Sequence, residues 1–390
     1  MKTWKWHALF VALCVGAPGG AYADITQMQS MYGYWGGGLG PQTLGVAPQR
    51  SFVTLYGTID TGLNYTKAGP DTIERVQSGG ALTSKFGFYG QEYIGDQWTV
   101  LFRLENGFLS NRGAAQDSTS LFNRASYVGM QNPHYGELLA GRQYTSAGAA
   151  ALGADPFLGV AHESVYTYFL GTSDLGVGAS SDALGRLPNT LRYISPRFGP
   201  FGIDVSYSFK GDQTVGPAVH QRSAMVSYAD GRTSVTLAFG QSWCDPSMSG
   251  SCASSTSTVA PTQRTDTYLS SVMVDVGPFV AQGAYIRYVP KMAGNAIASL
   301  YLIGMQKWLG VDLLRATAAF RDTSISGNYA YGSTLGIDHF LSKRTSLYGR
   351  VGLMRNGPHS SVTYNYDSGS PAPAAGRTVT SVTLGVNHQF

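Results

Sequence analysis

Apolar and polar residues alternate strictly over long stretches of this chain. At 201–210 (FGIDVSYSFK), Phe201, Ile203, Val205, Tyr207 and Phe209 fall on one side, and Gly202, Asp204, Ser206, Ser208 and Lys210 on the other. The stretch 52–65 repeats the pattern, with Val53, Leu55, Ile59, Leu63 and Tyr65 set against Thr54, Tyr56, Thr58, Asp60 and Asn64. So does 233–240, with Val235, Leu237 and Phe239 on one face. A period of two over eight to fourteen residues predicts strands whose two faces meet different surroundings. About sixteen such segments are read, at 52–65, 83–93, 98–108, 122–131, 137–145, 189–196, 201–210, 219–229, 233–242, 265–276, 279–288, 297–307, 311–322, 330–341, 345–356 and 378–390. Their connections alternate between short turns, such as Phe198-Gly199-Pro200, Asp230-Gly231-Arg232, Gly277-Pro278 and Ser342-Lys343-Arg344, and longer loops. The longest loop is expected over 146–188, with others near 66–82, 109–121, 243–264 and 357–377.

Composition decides what the two surroundings are. Charged residues make up 13% of the 390 residues, about half the roughly 25% usual for a soluble domain. Mean hydropathy is nonetheless −0.07, and beyond the N-terminal leader no apolar run approaches the roughly 18 residues of a spanning helix. With 50 Gly, 24 Tyr and 17 Phe, the chain suits strands that show one face to lipid and one to water. Lipid supplies no hydrogen bonds, so such strands must pair on both edges and the sheet must close. The expected fold is an all-β, sixteen-stranded antiparallel transmembrane barrel over 51–390, with short turns at one end and long external loops at the other. A soluble sandwich is disfavoured because its outer faces would need the charge that is missing here. A formal net charge of +4 without a Lys/Arg cluster gives no case for a nucleic-acid partner.

The N-terminus reads as an export signal over 1–23. Lys2 and Lys5 precede a short apolar core at 8–15 (ALFVALCV), and Ala21-Tyr22-Ala23 forms an A-x-A cleavage site. Losing the leader takes the formal charge from +4 to +2 and leaves Cys244 and Cys252. A close, even pair in an exported chain predicts one disulfide. Residues 24–50 follow as a Gly/Gln/Pro/Tyr-rich extension, either a flexible periplasmic tail or a segment that enters the lumen or binds a periplasmic partner.

The segments VTLYGTIDTGLNY (53–65), SKFGFYGQE (84–92), FRLENGF (102–108), LFNRASYVGM (121–130), GELLAGRQYT (136–145) and RLPNTLRYISPRFGPF (186–201), with the terminus VTLGVNHQF (382–390), occur in this order. They resemble the general porins of Gram-negative bacteria, especially the trimeric sixteen-stranded type of β-proteobacteria. The final Phe390, with Val382, Leu384, Val386 and His388 on its face, is similar to the C-terminal aromatic that marks such barrels for outer-membrane insertion. The resemblance implies a homotrimer in the cell outer membrane, in contact with lipid and lipopolysaccharide. It also implies a third loop folded inward and a water-filled channel for small hydrophilic solutes and ions, with a mild anion preference. In that family, basic wall residues face acidic loop residues and set up a transverse field.

Carried over by motif, Lys85 (in SKFGF), Arg124 (in FNRASYVG) and Arg186 (before PNTLRY) are the expected basic wall of the constriction. Alternation adds Arg103, Arg192, Arg315, Arg321 and Arg350 as further lumen residues. Arg142, in GRQY, shares parity with the outward Leu138 and Ala140, where an arginine facing lipid would cost a few kcal/mol; it is expected at the subunit interface or near the extracellular rim, and is kept as an interface candidate. On the inward loop, Asp155 and Glu163 are the expected carboxylates, with Asp174 and Asp182 further along, although 146–154 (SAGAAALGA) lacks the acids and bulk the family has there. Tyr166, Tyr168 and Phe169 are expected either to pack the loop to the wall or to form an aromatic surface along the pore. No HExxH, Walker or GxSxG motif and no Cys/His metal cluster occurs. No catalytic residue or cofactor is therefore expected, and the competing readings are a substrate-specific channel and a barrel-scaffolded enzyme or adhesin.

Overall fold

The structure, a computed structural model, describes residues 51–170, 184–209, 219–243, 264–291, 296–364 and 375–390. The expected leader, the 24–50 extension and the Cys244–Cys252 bridge lie outside the described residues. The described chain is one antiparallel sheet of eighteen strands, sixteen of which build the closed wall. In chain order they are β1 (Phe52–Ala68), β2 (Asp71–Ser78), β3 (Lys85–Gly95), β4 (Trp98–Leu109), β5 (Ala114–Ala115), β6 (Ala125–Asn132), β7 (Gly136–Tyr144), β8 (Arg186–Ile194) and β9 (Phe201–Phe209). There follow β10 (Val219–Ala229), β11 (Thr233–Trp243), β12 (Arg264–Asp275), β13 (Val280–Pro290), β14 (Ala298–Leu309), β15 (Asp312–Thr323), β16 (Ala330–Phe340), β17 (Thr345–Asn356) and β18 (Thr378–Gln389). Each wall strand pairs with its neighbour in sequence, and β1 closes the barrel against β18, from Thr58↔Gln389 to Ala68↔Val379. Among the described residues, no helix is long and apolar enough to cross a membrane.

Two short strands lie outside the expected sixteen. The stretch expected as an open loop at 66–82 contains β2, which pairs with the upper half of β1 from Thr61↔Ser78 to Ala68↔Asp71. The lower half of β1, Phe52 to Thr58, pairs with β3 instead. β1 is therefore longer than its partner, and β2 covers the edge that β3 leaves. The two-residue β5 only caps the end of β4. At the short-turn end, Asp96 (φ 47°) and Gln97 (φ 64°) close the β3–β4 hairpin with the two left-handed residues that match strand twist.

The faces are inverted relative to a soluble protein. Val53, Leu63, Leu237 and Ile303 are 57–68% exposed on the outside, as a lipid-facing band requires. Inside, Thr66, Gln77, Ser84, Thr334 and Thr383 are buried and polar. Aromatic rings gather at both ends of the band. Trp98 packs against Tyr135, Phe201 against Tyr228 and Trp308 against Phe340 near the short turns. At the other end, Tyr285, Tyr301, Phe320 and Tyr331 sit opposite one another across β13 to β16. Amphipathic rings favour the two lipid–water boundaries.

Candidate functional site: the lumen and its inward loop

The loop after β7 turns into the barrel at once. Thr145 caps a short helix, Ser146–Leu152, its hydroxyl accepting from the Gly148 amide at 2.9 Å. That helix packs on β10, β11 and β12, and a second one, Val165–Leu170, packs on β14 to β17. The loop lies flush because the wall offers glycine beneath it. A Cβ on Gly336 would come within 2.7 Å of the Phe157 ring, and one on Gly304 within 2.4 Å of Pro156. The two helices of the described loop thus lie against the wall between β9 and β17, while residues of β3, β4, β6, β7, β8, β10 and β11 line the open cavity.

Polar groups of the loop point into that covered wall. Ser146 donates to Asp204, and the backbone amides of Ser146 and Ala147 donate to Ser206 and Ser223. Asp155 accepts from Thr317 (2.9 Å), Ser164 (2.7 Å) and the Gly159 amide (3.1 Å). Glu163 accepts from Ser381 (2.9 Å), Thr383 and Asn64 (3.4 Å). Both carboxyls are fully buried, which raises the pKa of Asp155 and pushes Glu163 up to about 7. The expectation that Asp155 and Glu163 face the cations across the pore is corrected accordingly: these carboxyls pin the loop to β15 and β18. The reason is the donors beneath them: Thr317 on β15 and Ser381 and Thr383 on β18 satisfy the two carboxyls where the loop meets the wall. Buried Tyr166 donates to the Ala151 carbonyl at 2.8 Å, Phe169 is buried, and Tyr168 meets Tyr364 edge-on at 5.3 Å. These rings pack the loop and do not form an aromatic track.

The open wall carries the charge. A cavity of about 830 Å³ is lined by Lys85, Arg103, Arg124, Arg186 and Arg192, together with Glu105. Glu105 lies on β4, diagonal to Lys85 on β3. It accepts from Arg103 Nη2 at 3.0 Å, Arg124 Nε at 2.8 Å and Tyr56 OH at 2.9 Å. Tyr56 reaches Glu105 across β3 because Gly87 lies between them; a Cβ there would stand 2.8 Å from the Tyr56 hydroxyl. The Arg186 guanidinium lies 3.8 Å from the centre of the Tyr144 ring, a cation–π contact that fixes its position. Arg192 pairs with Asp204 on β9. Lys85, Arg124 and Arg186 are thus brought together, with Arg103 and Arg192 beside them.

The remaining arginines are placed elsewhere. Arg315 and Arg350 face inward, but both are buried against Asp338, with Arg350 5.4 Å from the Phe157 ring. Arg321 donates to Asn328 and Ser360. Arg350 lies against the loop at Phe157 and Arg321 against Asn328 and Ser360, and none of the three lines the cavity. Arg142 falls at a bulge between Gly141 and Gln143, where the strand's parity breaks, and its Nε donates to the Asn123 carbonyl. Among the described residues, no group of three or more His, Cys, Asp or Glu could hold a metal ion.

A wall of sixteen strands with an inward third loop is an architecture that comparison can place. The model of the Gram-negative porin family matches residues 8–359. The chain belongs to that family. Outer membrane porin protein 32 of Delftia acidovorans is 27% identical over 365 residues, covering 89% of this chain and 96% of that protein. An outer membrane porin protein of Bordetella pertussis is 31% identical over 196 residues, 45% of this chain and 48% of the other. An anion-selective porin from Comamonas acidovorans superposes with a TM-score of 0.76 at 25% identity, over 87% of this chain and all of that one. This porin therefore belongs to the outer membrane and forms a channel. Sequence reading of the porin missed Glu105, Asp204 and Tyr56. The signal for Glu105 was present: it shares parity with Arg103 in FRLENGF.

Proposed function

We propose that the porin passes small hydrophilic solutes by diffusion and prefers anions. The observation that carries this reading is the asymmetry of the constriction. Among the described residues six cations line the cavity (Lys85, Arg103, Arg124, Arg186, Arg192 and Arg197) against two carboxylates, Glu105 and Asp230, while Asp155 and Glu163 hold the loop. An ion passing there meets a net positive wall, which raises the local concentration of anions and lowers that of cations. Lys85, Arg124 and Arg186, with Arg103 and Arg192, are the residues proposed to set this preference. The relative from Comamonas acidovorans, described as anion-selective, supports it.

The assembly proposed is a homotrimer, in keeping with an OmpT of Vibrio cholerae recorded in trimer form. Arg142, which braces the 109–124 segment through Asn123, is the interface residue proposed within it. Residues 1–23 are proposed to direct export, and the exposed apolar band to contact lipid and lipopolysaccharide. Planar-bilayer recording of the purified porin in a KCl gradient tests the channel reading. Chloride-selective reversal potentials are expected. Cation selectivity would overturn the charge assignment, and absence of conductance would overturn the channel. Migration as a high band that collapses on boiling tests the trimer.

A further inference from the structure

The two sides of the constriction differ in kind as well as in charge. The loop contributes Ala149, Ala150, Leu152, Leu158 and Val160 to the same cavity as the arginines. Tyr127 and Tyr144 also line it, with Arg186 stacked over the Tyr144 ring. One residue of the apolar side is held there at a cost. Leu158 has φ +55°, a left-handed conformation that branched side chains disfavour. The Asp155 turn enforces it. The Leu158 amide donates to the Asp155 carbonyl at 2.8 Å, and the next amide, Gly159, to the Asp155 carboxylate at 3.1 Å. A strained backbone that aims an apolar side chain into a channel marks a site whose shape matters.

The geometry points to a subsite for small apolar monocarboxylates, aromatic or branched aliphatic, at this constriction. The carboxylate sits among Arg124, Arg186 and Lys85, and the hydrocarbon body lies on Leu158, Val160 and Leu152. The subsite rests on the anion-conducting reading and names the class of anion that reading favours. A compact anion such as acetate has the same charge but leaves the apolar shelf uncovered. Covering about 60 Å² of that shelf at about 25 cal/mol/Å² corresponds to roughly a tenfold preference.

Chloride current through the full-length porin in a planar bilayer, titrated with sodium benzoate, sodium acetate and benzyl alcohol, is the test. Benzoate is expected to reduce the current at concentrations about tenfold lower than acetate, and benzyl alcohol is expected to have no effect at those concentrations. Leu158→Asn keeps a residue that tolerates left-handed φ, so the loop stays folded, and it should bring benzoate to within about threefold of acetate. Leu152→Ser, on the helix, should act in the same direction. Equal block by benzoate and acetate in a conducting channel would overturn the subsite and leave the porin reading standing, as would an unchanged ratio in both variants. Block by benzyl alcohol matching that of benzoate would overturn the cationic half of the subsite. A silent bilayer would overturn the channel reading itself.

Discussion

Replacing Glu105 by glutamine should make the channel more anion-selective. Two carboxylates line the cavity among the described residues, and Asp230 sits in the turn after β10, beyond the cluster of cations. Glu105 is therefore the one negative charge set directly among Lys85, Arg103 and Arg124. A unit charge about 6 Å from a passing ion contributes roughly 0.7 kcal/mol in a water-like dielectric, or about threefold in local concentration. Its loss acts oppositely on chloride and potassium, so their permeability ratio should change by up to about tenfold. Screening over a Debye length of about 10 Å at 0.1 M salt reduces this to a change of roughly three- to tenfold. In a tenfold KCl gradient the reversal potential should move toward the chloride limit of about 59 mV. Glutamine keeps the shape and one acceptor for Arg103 or Arg124, so the heat-modifiable barrel should still form. Arg124→Gln should move the potential the other way. An unchanged potential, or a shift toward potassium in Glu105→Gln, would show that Glu105 lies outside the ion path and would refute the placement of the constriction.

Other outcomes rest on particular contacts. The Glu163 carboxyl, raised to about 7 by burial, favours its protonated form in the folded loop. Its contribution to anchoring is thus full below about pH 4.5 and lost as pH rises through 7. Single-channel records should be quiet at pH 5 and show more closures at pH 8–9, with Glu163→Gln quiet throughout; noise independent of pH in the unaltered porin would contradict this. Asp338→Asn leaves Arg315 and Arg350 buried without their counter-charge, at a cost of roughly 3–5 kcal/mol. The urea unfolding midpoint should fall while the reversal potential stays in place, because both arginines lie under the loop. Deleting Phe390 removes its paired backbone bonds with Gly57, at 3.0 and 3.1 Å, and with them the last rung of the seam. Insertion into lipid vesicles should slow severalfold, and equal insertion rates for the two chains would argue against a seam-closing role.

The wall was legible because lipid and water impose a period of two on every strand. Parity alone set Val53 and Leu63 on the face opposite Thr58 and Asp60, and their exposure agrees. Parity reports only which face a side chain takes, so it grouped Arg315, Arg321 and Arg350 with Arg103 and Arg192. The loop's path separates them, and that path depends on wall glycines such as Gly336 many residues away in sequence. Arg142 departs from simple parity for a local reason, since the bulge at Gly141 resets the alternation. β2 was hidden because its sequence, DTIERVQS, carries polar residues on both faces and so shows no alternation.

The direction in which the loop carboxyls turn changes the kind of selectivity to expect. A constriction with cations on one side and acids on the other orients dipolar solutes, and its net charge is small. Here the described part of the loop turns Asp155 and Glu163 into the wall and shows the cavity an apolar shelf. Among the described residues, Glu105 and Asp204 pair directly with the cluster of cations, and the field that remains acts on net charge more than on dipoles. Such a preference should weaken steeply with salt, because the Debye length falls from about 10 Å at 0.1 M to about 3 Å at 1 M. Reversal potentials measured at a fixed tenfold KCl ratio, with the mean concentration raised over that range, should decline toward the unselective value. A potential that holds constant would mean that steric fit or close ion binding, rather than the wall's net charge, sets which ions pass.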